Sequence, residues 1–303
     1  MQEKTILGID LGGTKILCGL ITGKGEVIGH PHTVATGGQD PEETIVNRIF
    51  KAVQKTLADG RKGITEIRGI GIGATGPLDM KEGLILDCPF LPTLKNFPLR
   101  KTIQDEFGIP VFLDNDANCF GLGEYYFGAG HGRDILLGYT LGTGLGCGIV
   151  INGKIYSGAT QHAGEVGTSP YQHETIEDIV SGSGISRIYQ SISGRKKTAS
   201  EIAALAFNGD QDARQTWERF GEHLAYAVAW GINTIDPDIV VLGGSIANAL
   251  ELFAPAMEKT LRKNICPLPA ERTKVVKAQL GDRAGLIGAA CLVLNALKQT
   301  SGK

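Results

Sequence analysis

A strand, a glycine-rich turn, a strand, a second turn and a third strand are written twice in this chain, and that repeat constrains its fold more than any other feature. The first copy runs from Ile6 to Ile28. Asp10-Leu11-Gly12-Gly13-Thr14-Lys15 lies between its first two strands, and Thr22-Gly23-Lys24-Gly25 precedes its third. The second copy begins at Asp134, about 130 residues later. Ile135 to Thr140 reads as a strand, Leu141-Gly142-Thr143-Gly144-Leu145-Gly146 as the turn and Cys147 to Ile151 as the next strand. Asn152-Gly153 is a type I′ hairpin signal before Lys154-Ile155-Tyr156. Like units at matched places predict an internally duplicated fold. The 303 residues fit about two domains, because single cores stop growing near that length.

Between and after the copies, strands alternate with helices, which is the α/β pattern. Pro41 to Leu57 reads as a helix, with Asp40 as N-cap and Pro41 at its first position. Ile67 to Ala74 is an apolar strand ending in Thr75-Gly76-Pro77. Leu99 to Phe107 is a helix stopped by Gly108 and Pro110. Val111 to Leu113 is a short strand, and Asp114-Asn115-Asp116-Ala117-Asn118 opens a helix to about Tyr126. A long helix is expected over Asp212 to Ile235, a strand over Ile239 to Leu242, and a small-residue helix over Ala284 to Ala296. Trp217, Phe220, Tyr226 and Trp230 recur at helical spacing and read as core or interface. The 43 glycines have no collagen-like period, so they serve tight turns and close backbone approaches.

Charge and cysteine usage exclude several classes. Thirty basic and 32 acidic residues are well mixed, so neither nucleic acid nor an anionic membrane is an expected partner. The N-terminus enters its first strand without a secretory leader, and no apolar run reaches the ~18 residues of a membrane span. None of the six cysteines forms a C-x-x-C pair, which suits buried free thiols in a reducing cytoplasm.

Four segments carry chemistry. In Asp10 to Lys15 the glycines let backbone amides approach an oxyanion, Thr14 offers a hydroxyl, and Asp10 sits where the Mg²⁺ of a nucleotide needs a carboxylate, through water. Alone, the same segment is equally an ordinary hairpin. Leu141 to Gly148 is a second cradle of this kind. Its glycines precede a strand rather than a helix, so a dinucleotide fold is not indicated. Two such hairpins in duplicated units suit two jaws on one polyphosphate. Val240 to Ser245 ends a buried strand in Gly243-Gly244, where an adenine or ribose could approach, or where a plain turn sits. Asp114 to Asn118 packs four polar groups between an apolar strand and an apolar helix; one helix cap accounts for only one of them. Asp116 could accept the proton of a hydroxyl attacking a phosphoryl group, and a helix N-terminus keeps such a carboxylate ionised.

Taken in order, these segments resemble the actin-like ATPase superfamily, and more closely the ROK family of bacterial sugar kinases and repressors. The match covers essentially the whole chain. It rests on Asp10–Lys15, Thr75-Gly76-Pro77-Leu78-Asp79, Leu113–Asn118, Leu141–Gly148, Gly164-Glu165-Val166-Gly167 and Val240–Ser245. The resemblance implies two actin-like (ribonuclease H-like) α/β domains with mixed five-stranded sheets flanked by helices and an active-site cleft between them. The expected domains are a smaller one over 1–117 plus 291–303 and a larger one over 118–290. It implies ATP-dependent phosphorylation of a hexose, glucose or a close relative, at the 6-hydroxyl. Asp116 is then the base, and Asn115, Glu165, Thr75 and Gly76 meet the sugar. Gly12, Gly13, Thr14, Lys15, Thr143 and Gly144 meet the phosphates, Gly243 and Gly244 line the nucleoside site, and Asp10 reaches Mg²⁺ through water. A cytoplasmic homodimer is implied as well.

Three positions depart from the family pattern. Thr168 stands where the family has a histidine after Glu165. No cysteine lies between Cys147 and Cys266, where the family's zinc cluster belongs, so no structural zinc is expected. Phe90 and Leu94 replace an Asn and a Trp of the sugar-contacting loop. The alternatives are a kinase of another sugar or amino sugar, a glucokinase using polyphosphate, and a sugar-binding regulatory protein. A repressor is disfavoured, since only four residues precede the first strand.

Overall fold

The computed structural model describes residues 5–301, so Met1 to Lys4 and the last two residues lie outside the described chain. Two compact units emerge: residues 1–131 with 153–155 and 283–303, and residues 132–152 with 156–282.

The first unit opens with strands β1 (Thr5–Leu11), β2 (Lys15–Thr22) and β3 (Val27–Ala35), followed by helix α1 (Glu42–Asp59) and strand β4 (Ile67–Ala74). Short strands β5 (Leu78–Asp79) and β6 (Leu84–Ile85), helix α2 (Leu99–Phe107), strand β7 (Val111–Asn115) and helix α3 (Asp116–Phe127) complete its main segment. The sheet order is β3-β2-β1-β4-β7, with β1 antiparallel to β2 and parallel to β4, and β4 parallel to β7. The mixed sheet follows from connection length: tight glycine turns join β1 to β2, while helix-bearing crossovers return the chain parallel for β4 and β7. The α1 start differs from expectation. Its N-cap is Pro41, without a side-chain cap, because the Asp40 carboxylate is taken by the Arg48 guanidinium at 2.5 Å.

The second unit repeats this plan. β8 (Ile135–Leu141) and β9 (Leu145–Ile151) form its opening hairpin, and the two-residue strand β10 (Lys154–Ile155), grouped with the first unit, follows in the chain. A small hairpin of β11 (Pro170–Tyr171) and β12 (Glu174–Thr175) leads to α4 (Ile176–Ile179), α5 (Gly182–Ser193), α6 (Ala199–Phe207) and α7 (Gln211–Ile235). Then come β13 (Ile239–Gly243), α8 (Leu250–Asn264), α9 (Pro267–Arg272) and β14 (Lys274–Lys277). The order β10-β9-β8-β13-β14 matches the first sheet strand for strand, and β8, β13 and β14 are parallel as β1, β4 and β7 are. Tyr139, Trp217, Phe220 and Phe253 are buried between sheet and helices, with Trp217 stacked on Phe253 at 5.9 Å.

The chain returns to the first unit through α10 (Ala284–Ser301). Glycines let this helix sit against the sheet at backbone distance. A Cβ on Gly8 would come to 2.5 Å from the Leu286 carbonyl oxygen, and one on Gly71 would overlap the Ala289 carbonyl. Gly288 and Gly123 do the same between α10 and α3. This packing puts all of α3 and all of α10 in the first unit. By contacts the chain divides at 131/132 and 282/283, with 153–155 grouped with the first unit. All six cysteines are free and five are buried; Cys266 is exposed. No helix among the described residues is long and apolar enough to cross a membrane.

Candidate active site

The first unit collects its chemistry where β1, β4 and β7 end. Register pairs Asp10 with Gly73 and Gly73 with Asp114; the next rung is Leu11, Ala74 and Asn115. Thr75-Gly76, Asn115-Asp116 and the turn after Asp10 thus leave the sheet side by side at the carboxyl ends of parallel strands, the usual ligand position of open α/β sheets. Gly73 keeps the middle of this edge low, since a Cβ there would lie 3.1 Å from the Cys119 sulfur on α3.

Asp116 is the first residue of the 12-residue α3 and is half-buried. Its Oδ1 accepts the Ala117 amide hydrogen at 2.8 Å, and Asn115 Oδ1, the N-cap, accepts the same hydrogen at 2.9 Å. The cap leaves the Asn115 amide nitrogen turned toward Gly76, 3.3 Å from where a Cβ would stand. Asp114 is used differently. Its Oδ1 takes the Asn115 amide at 2.8 Å and Asn118 Nδ2 at 2.8 Å, so it braces the turn. Of the four polar groups in this segment, Asp114 and Asn118 brace the turn, and Asn115 and Asp116 close on the first amide of α3 at the sheet edge.

The β1–β2 turn is tied down through its carbonyls. Gly12 N–H donates to the Lys15 carbonyl at 3.0 Å, Thr36 Oγ1 to the Gly12 carbonyl at 2.7 Å, and the Thr36 amide to the Thr14 carbonyl at 2.9 Å. No backbone bond claims the amides of Gly13 and Thr14 among the described residues, so they are free to meet an oxyanion. Burial raises the Asp10 carboxyl above its ordinary 3.8, with the Lys15 charge as a partial offset. Asp10 also lies against the first turn of α10, 3.1 Å from where a Cβ on Gly285 would stand. A buried carboxylate beside a turn with two unclaimed amides, and with a lysine as its only charged neighbour in that turn, suits a hydrated divalent cation. Among the described residues no cluster of three or more His, Cys, Asp or Glu could hold a metal by itself.

The second unit builds a matching edge without carboxylates on the strands. Gly142 N–H donates to the Gly144 carbonyl at 3.1 Å, and the amides of Thr143 and Gly144 are unclaimed by backbone bonds among the described residues. Gly243 pairs with Thr140, which brings Gly244 beside the turn. Gly244 has φ +81°, and a Cβ on it would overlap the Leu141 carbonyl. Three residues that sequence reasoning missed support this turn. Gly182, at the start of α5, donates to the Gly142 carbonyl at 2.9 Å, and Ser181 caps that helix, so a 12-residue helix N-terminus adjoins the turn. Glu177 Oε2 accepts the Leu145 amide at 2.8 Å and lies where any Gly144 side chain would be. The Ser181-Gly182-Ser183-Gly184 run was a readable cap signal; nothing in sequence links Glu177 to a turn 32 residues earlier.

Glu165 lies in this second unit, just before a 3₁₀ turn over Val166–Thr168. Burial raises its carboxyl above 4.5; His162 opposes the rise and the Glu177 charge adds to it. Thr168 spends its hydroxyl on the Glu165 carbonyl at 2.9 Å. Asp10, Gly12, Gly13, Thr14, Lys15, Thr75, Gly76, Asn115 and Asp116 are thus gathered on the first edge. Thr143, Gly144, Gly243 and Gly244 are gathered on the second, with Glu165 close enough to Glu177 to feel its charge.

The family model for ROK proteins matches residues 6–296. The chain belongs to the ROK family. This ROK protein is 30% identical to a glucokinase of Halalkalibacterium halodurans over 97% of its own length and 96% of the relative's. It is 34% identical to an N-acetyl-D-glucosamine kinase of Photobacterium profundum, covering 94% and 98%. A ROK family glucokinase from Streptomyces griseus, solved in complex with glucose and AMPPNP, superposes with a TM-score of 0.82 at 29% identity, covering 96% and 99%. The ROK protein's paired mixed five-stranded sheets are the actin-like ATPase fold.

Proposed function

We propose that this sugar kinase transfers the terminal phosphoryl group of MgATP to the 6-hydroxyl of a hexose, glucose or a close relative, with Asp116 as the base. The observation that carries the reading is the Asn115–Asp116 pair on the N-terminus of α3, beside Thr75-Gly76, at the ends of three parallel strands. Relatives named glucokinase and N-acetyl-D-glucosamine kinase support it.

Asn115 and Thr75 orient hydroxyls, and Glu165 accepts a hydrogen bond from another. Asp116 then takes the proton of the attacking hydroxyl. In a loose transition state the proton leaves late, so Asp116 chiefly aligns the nucleophile and receives the proton as the bond forms. A helix N-terminus favours the charged form of a carboxylate seated there. The free amides at Gly13, Thr14, Thr143 and Gly144 are donors for phosphate oxygens, Lys15 adds a charge, and Gly243-Gly244 admit the nucleoside closely. Asp10 would hold Mg²⁺ through water; the bound cation supplies charge neutralisation between the phosphates.

The test is ADP release from the purified protein over a panel of hexoses and amino sugars, with ATP and with polyphosphate as donor. Mg²⁺-dependent turnover on a hexose with ATP is expected. Absence of turnover on every sugar with either donor would overturn the reading.

A further inference from the structure

Two glycines in succession, Gly12 and Gly13, leave the β1–β2 turn few side chains with which to fix its own backbone. Its peptides are trans. A planar trans peptide points each N–H away from the carbonyl before it. The Gly13 amide is therefore aimed by whatever holds the Gly12 carbonyl, and the Thr14 amide by whatever holds the Gly13 carbonyl. The segment just beyond β3 holds both.

Pairing of β2 with β3 ends at Lys15 and Ala35, and Thr36, the next residue, is fully buried. Its hydroxyl donates to the Gly12 carbonyl at 2.7 Å and its amide to the Thr14 carbonyl at 2.9 Å, so one residue grips the turn at two points. Gly38 closes on the carbonyl between them: a Cβ there would lie 2.8 Å from the Gly13 carbonyl oxygen.

Thr36 is itself held from behind. Its carbonyl accepts from Arg48 Nη1 on α1 at 2.7 Å, and the same nitrogen pairs with the Asp40 carboxylate at 2.5 Å. Gly37, at φ +64°, lets the chain fold over that pair, since a Cβ on it would overlap both the guanidinium and the carboxylate. Thr93 Oγ1 donates to the Asp40 carbonyl at 2.7 Å and ties down the far end of the segment. A half-exposed ion pair adds little stability of its own. Set behind Thr36, it fixes the direction of a carbonyl instead.

We propose that Thr36, seated by Arg48, is a positioning residue for the phosphoryl donor: it aims the Gly13 and Thr14 amides at the donor's phosphates. Thr36 acts through the turn and touches no substrate itself. This rests on the assignment of the β1–β2 turn to phosphate in the kinase reading above.

Three variants test it, with thermal melts to confirm folding. Thr36→Val keeps the shape and removes the hydroxyl, Thr36→Ser keeps the hydroxyl, and Arg48→Lys removes the guanidinium while leaving Thr36 in place. The Kd for AMPPNP with Mg²⁺ is measured by calorimetry, and KM for MgATP and for the wild type's preferred sugar by ADP release. Thr36→Val should raise the AMPPNP Kd and the MgATP KM about tenfold, with the sugar KM within about twofold. Thr36→Ser should recover most of that loss. Arg48→Lys should weaken nucleotide binding about threefold and reads the same brace if Thr36→Val does not fold. A folded Thr36→Val that binds AMPPNP like wild type, a Thr36→Ser as impaired as Thr36→Val, or a sugar KM that rises as far as the MgATP KM overturns the proposal and leaves the kinase reading standing. Unchanged binding in Arg48→Lys beside an unfolded Thr36→Val does the same. Wild type that binds AMPPNP but phosphorylates no sugar overturns the kinase reading, while the Kd series still decides the role of Thr36. Wild type that binds no nucleotide overturns both.

Discussion

In the first unit the residue before the last of the opening strand is Asp10; in the second it is Thr140. Both are followed by leucine, a glycine whose amide turns back on its own hairpin, and two residues with free amides. The ends of the next two parallel strands diverge in the same sense. β4 ends in Gly73-Ala74 and β7 in Asp114-Asn115, whereas β13 ends in Gly243 and β14 in Lys277. One duplicated scaffold thus carries acids and amides on one edge and glycine with a helix N-terminus on the other. A base needs an ionised carboxylate with a defined partner; a nucleotide cradle needs backbone amides without side chains in the way. The difference between the edges is the division of labour that the proposed reaction requires.

The largest effect is expected at the residue with no counterpart in the second unit. Asp116→Asn should lower kcat by roughly 10²-fold or more with the sugar KM little changed, measured by ADP release. Unchanged kcat would remove the functional contrast between the edges. Next comes the exchange that makes the units alike. Asp10→Thr should raise the Mg²⁺ concentration needed for half-maximal rate by about tenfold, read from a magnesium titration. The same variant should be the more thermally stable protein at neutral pH. The Asp10 carboxyl is raised by burial, so its ionised form opposes folding. That opposition is absent below the ordinary carboxylate range and grows as pH rises through the raised value, so the variant's advantage should vanish on acidification.

Gly244→Ala probes the other edge. It places a Cβ on the Leu141 carbonyl at a left-handed φ, and should raise the ATP KM by about tenfold, leaving the sugar KM alone. A larger effect on sugar than on ATP would reverse the assignment of the edges. The acid limb of the sugar's kcat/KM profile should follow Glu165. Because burial lifts that carboxyl, protonation begins at higher pH than for a free glutamate. Glu165→Gln should flatten the limb by a few-fold while leaving the MgATP limb in place. The smallest change is expected at Tyr171, whose hydroxyl meets His223 Nδ1 at 3.0 Å on the β11–β12 hairpin. Tyr171→Phe should cost about 1 kcal/mol in denaturant unfolding with activity intact.

Much of this was legible in residue order. The duplicated meander, α2 with its Gly108 stop and the strand ends bearing Asp10, Gly76 and Asn115-Asp116 all follow from turn chemistry and short-range periodicity, which act over a few residues. Asp40 shows the limit. Its cap signal was sound locally, yet Arg48 took the carboxylate. Asp114 and Asn118 were among four polar groups of which one cap explained only one, and their mutual bond accounts for both.

What residue order determined by itself was the set of elements, their twofold plan and which side chains end the parallel strands, because propensity and patterning are local. What only the tertiary structure decided was which of those side chains are already spent. Glu177 beneath the Leu145 amide, Gly182 beneath Gly142, and α10 against the backbones of Gly8 and Gly71 join residues far apart in the chain. Such pairings depend on close packing of whole elements, which no local signal encodes.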